Sequence, residues 1–352
     1  MKIFKKITTF YQEDRPFVVY RKPNSEYVSG LFMKNDTLLF TNDFSESGFV
    51  FAPFDSEQKA ILFPLENSEF ITEKLFLDAF IDQEKTFFAD EAAKENHIKL
   101  VDKTIKEIKK NDLKKVVVSR TEQLEITDFS LLAVYQKLLQ NYTNAFVYVW
   151  FHPKVGLWLG ATPETLLEIE NSVFTTMSLA GTQLYKDTVD VVWKSKELNE
   201  QQLVTDFIEN QLSGISSQLK IDKTETARAG SLLHLKTKVT GVLNQKSTLK
   251  TLVSALHPTP AVCGMPREKA KKFILENEYY KRSFYTGFLG EINIKSLKFK
   301  TQSSSLFVNL RCMNINKNNA SIFIGGGITK DSNAAKEWEE TVSKSNVMKR
   351  VL

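Results

Sequence analysis

The chain has 352 residues, of which 42% are hydrophobic, and its 47 basic and 42 acidic residues give a formal net charge of +5. This composition is typical of a globular protein with a large core, and the small, unclustered charge favours an anionic small molecule over nucleic acid as a partner. No apolar run has the length of a membrane span or a signal peptide. The two cysteines, Cys263 and Cys312, lack metal-type spacing, which favours a reduced, cytoplasmic protein.

Short strand-like runs alternate with turn residues through residues 1 to about 90, which predicts a β-rich start. Helical apolar spacing follows over 91–110, LKKVVVSR is typical of a strand, and the next helix begins after Asp128, a possible cap. Further strands are predicted at NAFVYVWFHP, VGLWLGATPETLLEI, SVFTTMSLAGT, SLLHLKTKVTGVL, FYTGFLGEI, SLFVNLRCM and ASIFIGGG, and further helices at 191–212, 247–256, 266–277 and 333–349. Runs of strands with inserted helices predict an α+β fold with mainly antiparallel sheets.

Two predicted helices each carry a pair of glutamates three residues apart. Glu197 and Glu200 share one helix face, as do Glu337 and Glu340 on the last helix, where Lys344 lies one turn further along. Facing pairs of this kind could hold Mg²⁺, which takes oxygen ligands. The alternative is that both pairs are solvated surface charge with weak ion pairs.

Several single residues are further candidates. Lys115 begins the apolar run KVVVS, where burial would favour the uncharged amine that a general base needs, and Glu164 follows a proline at a strand end. Arg311 lies within an apolar strand-like run and therefore needs an anionic partner, either a ligand or a structural carboxylate. The glycines at 325–327 either approach an anion or make a tight turn, and His257 is either a site residue or a buried structural histidine.

The order of these motifs along the chain indicates a family. KVVVSR, GATPETLL, SLAGT, KELNEQQLVTDFI, LHPTPAVCG, YTGFLGEI, LRC, GGGI and EWEETVSK together resemble the chorismate-utilising enzymes, which include isochorismate, salicylate and aminodeoxychorismate synthases and anthranilate synthase component I. The resemblance covers about residues 91–350. It implies one catalytic domain over 1–352 with stacked antiparallel sheets and helices outside, in which residues 1–90 form the β-rich N-terminal part.

The resemblance also assigns roles to individual residues. It implies that Glu200 and Glu340 bind Mg²⁺, with Glu197 and Glu337 as supporting acids. It implies that chorismate, a dianion, is the substrate, and that the residues binding it are Thr182, His257, Ala261, Tyr285, Arg311, Gly325, Gly327 and Lys344. Metal, arginine, lysine and N–H donors are chemically suited to such a dianion.

The residues at four positions, 115, 180, 261 and 323, indicate the branch of the family. Water-using members resemble this chain in having lysine at the position of Lys115, where it acts as the general base. Ammonia-using members have glutamine at that position. Glu164 corresponds to the family's general acid. Ala180 replaces the nucleophilic lysine of aminodeoxychorismate synthases. Ala261 and Phe323 stand where salicylate synthases tend to have polar residues. We therefore expect an isochorismate synthase, with salicylate synthase as the first alternative and anthranilate synthase component I as a weaker one.

Other expectations follow from the same resemblance. The enzyme is expected to be a cytoplasmic monomer without a glutaminase partner, and its product would feed menaquinone or catecholate siderophore synthesis. Gln201 departs from the family pattern, which has histidine after the helix acid. A non-catalytic metabolite-binding relative is the competing hypothesis, and it predicts loss of Lys115, Glu164 or a metal-binding glutamate, all of which are present.

Overall fold

The computed structural model describes residues 1–77, 91–229, 232–295 and 301–352. Seven helices occur in these ranges, α1 to α7: Lys2–Gln12, Glu91–Lys110, Leu131–Asn141, Ser195–Ser213, Leu249–Leu256, Arg267–Asn277 and Ala334–Lys349. None of these helices combines the length and apolar content that crossing a membrane requires.

The same ranges contain nineteen strands. In chain order, β1 to β19 are Phe17–Arg21, Tyr27–Met33, Leu39–Thr41, Gly48–Ala52, Ala60–Pro64, Ser68–Lys74, Lys115–Glu125, Phe146–His152, Gly156–Thr162, Thr165–Glu170, Val173–Leu184, Ser216–Ile221, Glu225–Ala229, Leu232–Leu243, Gly264–Met265, Phe288–Lys295, Gln302–Val308, Cys312–Asn316 and Asn319–Ile328.

The strands form two large antiparallel sheets. The first has the order β15-β7-β19-β18-β9-β8-β1-β2-β6, and the second has the order β12-β14-β11-β10-β17-β16-β4-β5-β3, with β13 paired to β14. Strands β7 and β19 pair over ten residues, from Val116 opposite Ile328 to Glu125 opposite Asn319. The predicted α+β fold with mainly antiparallel sheets is confirmed.

The side chains of β1 show how the sheets divide the core. Val18 and Tyr20 point into an aromatic layer shared with residues of the second sheet, where Phe51 stacks on Phe284 with ring centres 4.2 Å apart. The alternate residue Phe17 packs on the other side, against α1 and α3. This period of two, with both faces buried, explains why β1 is a continuous apolar run.

The first 77 residues contribute to both sheets. Strand β1 pairs with β8 in the first sheet, and β4 pairs with β16 in the second. The β-rich start is confirmed for these residues, but α1 was not predicted from the sequence. Its buried face has Ile3, Phe4, Ile7 and Phe10 at helical spacing. Residues 78–90 of the predicted β-rich part lie outside the described residues.

Two segments predicted as single strands are broken at candidate site residues. VGLWLGATPETLLEI separates into β9 and β10 at Pro163 and Glu164, and SLFVNLRCM separates into β17 and β18. The placement of Arg311 inside a strand was therefore wrong: it lies between strands, in the left-handed region with φ 47°. The cap of α3 is Ser130, which accepts the N–H of Ala133, and not Asp128.

Candidate active site

One cavity collects most of the predicted site residues. It opens where β7 begins, where β9 gives way to β10 and where β11 and β19 end, and the first turns of α4 and one face of α7 close it. Thirteen of the fourteen predicted residues line it: Lys115, Glu164, Thr182, Glu197, Glu200, Ala261, Tyr285, Arg311, Gly325, Gly327, Glu337, Glu340 and Lys344. Residues distant in the chain thus share one small volume.

Lys115 is buried in this cavity, with 2% of its surface exposed. Its Nζ lies 2.7 Å from Oε1 of Glu200, on α4. Val117, two residues along β7, also lines the cavity, whereas the intervening Val116 packs into a core cluster on the opposite face. Lys115 is therefore buried on the same face of β7 as Val117, and it has a carboxylate partner.

Glu164 is the second buried titratable group of the cavity and is 4% exposed. Burial raises the pKa of its carboxyl from 4.5 to about 7, and the positive charges of Lys115 and Arg311 only partly oppose this shift. A carboxyl group with a pKa near neutrality exchanges protons readily at physiological pH. Glu164 therefore has the properties of a general acid or base.

The acidic pairs of α4 and α7 are each matched by lysines. Nζ of Lys344 lies 2.6 Å from Oε1 of Glu340 and also donates to the carbonyl oxygen of Gly325 at 3.1 Å. Nζ of Lys196 lies 3.4 Å from Oε1 of Glu337. The Lys196–Glu337 bridge connects α4 to α7 across the cavity, and both bridges keep the α7 carboxylates in charged surroundings.

The surroundings of the two α7 glutamates shift their pKa values in opposite directions. Burial, together with the charge of Glu340, raises the pKa of Glu337. Burial alone would raise the pKa of Glu340, but Lys344 and other nearby cations hold it below its usual value. Glu340 is therefore the more strongly anionic of the pair.

The four predicted metal-binding glutamates line one cavity without forming a compact cluster. Within the described ranges, no three His, Cys, Asp or Glu side chains are close enough to hold a metal ion by themselves. Oε2 of Glu197 instead accepts the backbone N–H of Lys194 at 3.1 Å, so this carboxylate caps α4. Any bound Mg²⁺ would need oxygen ligands from elsewhere, such as substrate and water.

Two glycines of β19, Gly325 and Gly327, lie where other side chains come close to the strand backbone. A Cβ atom at Gly327 would lie 2.8 Å from Cε of Lys115 and 3.0 Å from Oε1 of Glu200, and one at Gly325 would lie 2.9 Å from the hydroxyl of Tyr285. A larger residue at 327 would therefore displace the Lys115–Glu200 pair. The glycines bring the strand backbone to the cavity surface.

Aromatic rings form one wall of the cavity. Phe323 stacks on Tyr285 with ring centres 5.5 Å apart and on Trp158 with ring centres 5.2 Å apart. Ala261 and Leu310 also line the cavity. These lining residues are apolar apart from the Tyr285 hydroxyl, so the cavity has an apolar part beside its charged groups.

His257 lies outside this cavity, which corrects its prediction as a substrate-binding residue. Its Nε2 lies 3.2 Å from the carbonyl oxygen of Pro53, and its ring packs edge-on against Phe288. Burial lowers the pKa of His257 to about 4, so the ring is neutral. These contacts support the alternative that His257 is a buried structural histidine.

Three polar residues of the cavity were not predicted from the sequence: Lys196, His234 and Thr286. Nδ1 of His234 lies 2.9 Å from the carbonyl oxygen of Gly181, and burial lowers the pKa of the ring to about 4. Its Nε2 has no hydrogen-bond partner within the described residues. Lys196 could have been found from its spacing of four from Glu200.

Gln201, the departure from the family pattern, points away from the acidic pairs. It is 2% exposed, and its Nε2 donates to Oγ of Ser178 at 2.8 Å and to Oγ1 of Thr237 at 2.9 Å. These bonds attach α4 to β11 and β14. The amide therefore positions the helix and does not contact the glutamate carboxylates of the cavity.

Comparison with known proteins places the chain in a family. Residues 58–352 match the sequence profile of the family described as chorismate binding enzyme. Isochorismate synthase EntC of Escherichia coli K12 is 30% identical over 205 residues, 56% of this chain and 51% of that protein. Isochorismate synthase MenF of Bacillus subtilis is 27% identical over 277 residues, 76% of this chain and 57% of that protein. The match spans little more than half the length of these curated relatives.

Solved structures share the fold. DhbC of Bacillus anthracis has a TM-score of 0.80 and 22% identity over 99% of both chains. Anthranilate synthase component I of Streptococcus pneumoniae has a TM-score of 0.67 and 19% identity, over 94% of this chain and 89% of that one. The fold expected from the motifs, stacked antiparallel sheets of the anthranilate synthase component I type, is therefore confirmed.

Proposed function

Because the chain belongs to the chorismate binding enzyme family, we propose that it is an isochorismate synthase that converts chorismate reversibly to isochorismate. One observation carries the proposal: a buried lysine, Lys115, and a buried carboxyl of raised pKa, Glu164, line the same cavity. Water addition to a ring with loss of a hydroxyl needs a base and an acid of this kind.

In the proposed reaction, Lys115 in its uncharged form accepts a proton from water as the water oxygen bonds to C2 of the ring. The ring double bond shifts, the C4–oxygen bond breaks, and Glu164 donates its proton to the departing hydroxyl, which leaves as water. Atoms therefore balance, and substrate and product are isomers. In the reverse direction the two residues exchange roles.

The charges of the cavity suit a dianion with a divalent cation. Apart from Glu164 and the proposed base Lys115, the cavity contains four carboxylates and three cations, Lys196, Arg311 and Lys344. A dianionic substrate would add to this excess of negative charge, and one Mg²⁺ would offset the charge that the substrate brings. We propose that Glu200 and Glu340 hold the ion and that Glu197 and Glu337 support them. Two direct carboxylate ligands are consistent with the usual coordination of Mg²⁺, in which substrate and water oxygens fill the other positions. When bound, the ion would hold the ring carboxylate electrostatically.

The other carboxylate of the substrate has its own candidates. Arg311 and Tyr285 would bind the enolpyruvyl carboxylate, and Lys344 would add charge near the ring carboxylate. Thr182 and the backbone N–H groups of Gly325 and Gly327 complete the proposed anion site. Ala261 would contact the substrate through its methyl group. Neither Ala261 nor the stacked Phe323 offers a polar group for the further elimination of pyruvate that would yield salicylate.

We further propose one catalytic domain over 1–352, with residues 1–90 as part of the fold and 91–350 as the chorismate-binding core. Strand pairing between the N-terminal part and the core supports this organisation. The same proposal includes a cytoplasmic monomer. The enzyme would need no glutaminase partner, because Lys115 favours water over ammonia as the nucleophile. Menaquinone and siderophore synthesis both remain open as destinations of the product.

The test is to incubate the purified protein with chorismate, with and without Mg²⁺ and ammonium, and to identify the products by liquid chromatography with mass detection. Isochorismate formed only with Mg²⁺, and converted back to chorismate, is the expected result. Salicylate with pyruvate would instead establish the salicylate synthase alternative. Anthranilate formed with ammonium, or no consumption of chorismate, would overturn the proposal.

A further inference from the structure

Helix α7 presents one face to the cavity and packs a second, buried face against the protein core. The cavity face consists of Glu337, Glu340 and Lys344, and the anchor face consists of Trp338, Thr341 and Ser345. Each anchor residue follows a cavity residue directly in the chain. Neighbouring positions on a helix are about 100° apart, so a rotation of α7 that moves one face moves the other by the same angle.

The anchor face is fixed to β7 by one buried arginine. Nε of Arg120 donates to Oγ1 of Thr341 at 2.9 Å, and its guanidinium lies over the ring of Trp338, 4.4 Å from the ring centre. The Thr341 hydroxyl in turn donates to the carbonyl oxygen of Trp338 at 2.8 Å. Arg120 is 8% exposed and Thr341 is fully buried, so neither contact competes with bulk water.

A second contact fixes the end of the helix. Glu122, two residues along β7 from Arg120, accepts from Nη1 of that arginine at 3.0 Å and pairs with the buried Lys349 in the last turn of α7. The helix is therefore attached to β7 at its middle and at its C-terminal end. Two attachment points determine both the height of the helix and its rotation about its axis.

We infer that Arg120 and Thr341 are positioning residues, whose contact fixes the rotation of α7 and thereby places the cavity face of that helix. The strand that carries Arg120 also carries Lys115 at its start. One strand thus holds the proposed base directly and the proposed metal-binding helix through Arg120. The inference rests on the proposed function only in assigning the cavity face to metal binding.

The geometry makes small rotations consequential. Side chains on a helix end about 5 to 6 Å from its axis, so a rotation of about 10° moves a carboxylate by about 1 Å. Mg²⁺ tolerates little departure from its preferred distances. Loss of an outer partner that orients a metal ligand commonly lowers metal affinity about 10- to 100-fold.

The test compares two substitutions of Thr341. Thr341→Val has nearly the same shape but removes the acceptor for Arg120, whereas Thr341→Ser keeps the hydroxyl. Both are made in a Glu164→Gln background, which slows turnover about 10²- to 10⁴-fold when chorismate is present. Binding of Mn²⁺, a spectroscopic substitute for Mg²⁺, is measured by the electron paramagnetic resonance of the free ion, and hydrogen exchange of the α7 amides is measured without metal.

Thr41→Val is the matched control. Thr41 is 2% exposed and, like Thr341, both donates and accepts: its hydroxyl donates to Glu46 and accepts the N–H of Phe44. Thr41 lies on β3, outside the cavity. It therefore reports the cost of losing a buried threonine hydroxyl without any effect on α7.

We expect Thr341→Val to raise the Mn²⁺ dissociation constant about tenfold and to speed amide exchange over 338–345. Thr341→Ser and Thr41→Val should stay within about twofold of the parent. A Thr341→Val protein with parental Mn²⁺ affinity and parental exchange would overturn the inference while leaving the proposed function intact. A parent that binds no Mn²⁺ with chorismate present would instead overturn the proposed metal site.

Discussion

The buried Lys115 and the partly buried Glu200 form an ion pair, 2.7 Å between Nζ and Oε1, that joins the first residue of β7 to the second turn of α4. The pair connects the proposed general base to a proposed metal ligand. Gly327 leaves the space that both side chains occupy. Substitutions at the two positions should therefore have non-additive effects on activity, because each removes the partner of the other.

The proposed acid and base should be individually indispensable. Lys115→Gln and Glu164→Gln are each expected to lower kcat by about 10²- to 10⁴-fold, the usual contribution of one proton-transfer group. Steady-state assays of isochorismate formation, with circular dichroism to verify folding, provide the measurement. Lys114→Gln, at the exposed neighbouring position, is the control and should have nearly full activity. Near-normal turnover in either site variant would contradict the acid–base scheme.

The raised pKa of Glu164, about 7, predicts the alkaline limb of the pH–rate profile. The forward reaction needs the protonated acid, so kcat/KM, which reports the titration of the free enzyme, should fall as pH rises above about 7. Glu164→Gln should show no such limb in its residual activity. An unchanged alkaline limb in that variant would assign the titration to another group.

The same shift predicts how stability depends on pH. Glu164 binds its proton more tightly in the folded than in the unfolded state. Its ionisation therefore lowers the free energy of unfolding as pH rises from about 4.5 to about 7. Glu164→Gln removes this cost, which is roughly 3 kcal/mol at full ionisation. The variant should therefore gain thermal stability over the parent at pH 8 and gain little at pH 5. Glu168→Gln, at an exposed position on β10, is the control and should show no such pH-dependent gain; equal gains at both pH values would contradict the buried-carboxyl account.

Glu200 and Glu340 should determine the metal requirement. Glu200→Gln and Glu340→Gln keep side-chain shape but remove a charge, so each should raise the Mg²⁺ concentration for half-maximal activity by about tenfold or more and raise the KM for chorismate. Glu339→Gln on α7 is exposed and serves as the control. Chelation of the metal should abolish activity in the parent protein. Unaltered Mg²⁺ dependence in both site variants would show that the ion is held elsewhere.

The apolar wall predicts product specificity. Ala261→Thr places a hydroxyl in the apolar part of the cavity, which also includes Phe323 and Leu310. Salicylate synthases tend to have threonine at the position that corresponds to Ala261. We expect salicylate and pyruvate to appear beside isochorismate, detected by liquid chromatography with mass detection. Ala261→Val has the shape of threonine without the hydroxyl and should form isochorismate alone. Salicylate from both variants, or from neither, would contradict a role for the hydroxyl.

The sequence was sufficient where the signal is local. Helix periodicity located α2, α5, α6 and α7 closely, and alternating apolar runs located the central strands, because both patterns reflect which side of one element is buried. The ordered motifs identified the family and named thirteen residues that share the cavity. The short α1 was missed because a single buried face of four residues is a weak signal beside several strand-like runs.

Only the tertiary structure decided which polar residues meet. His257 and His234 look alike in the sequence, since each lies in an apolar segment, yet His257 packs against Phe288 outside the cavity and His234 lines it. The break of the chain at Arg311, the pairing of Lys115 with Glu200 and the contact of Arg120 with Thr341 likewise join segments far apart in the chain. Sequence determines the local preference of each element, whereas these contacts depend on strand register and helix rotation, which the packing of the whole core sets.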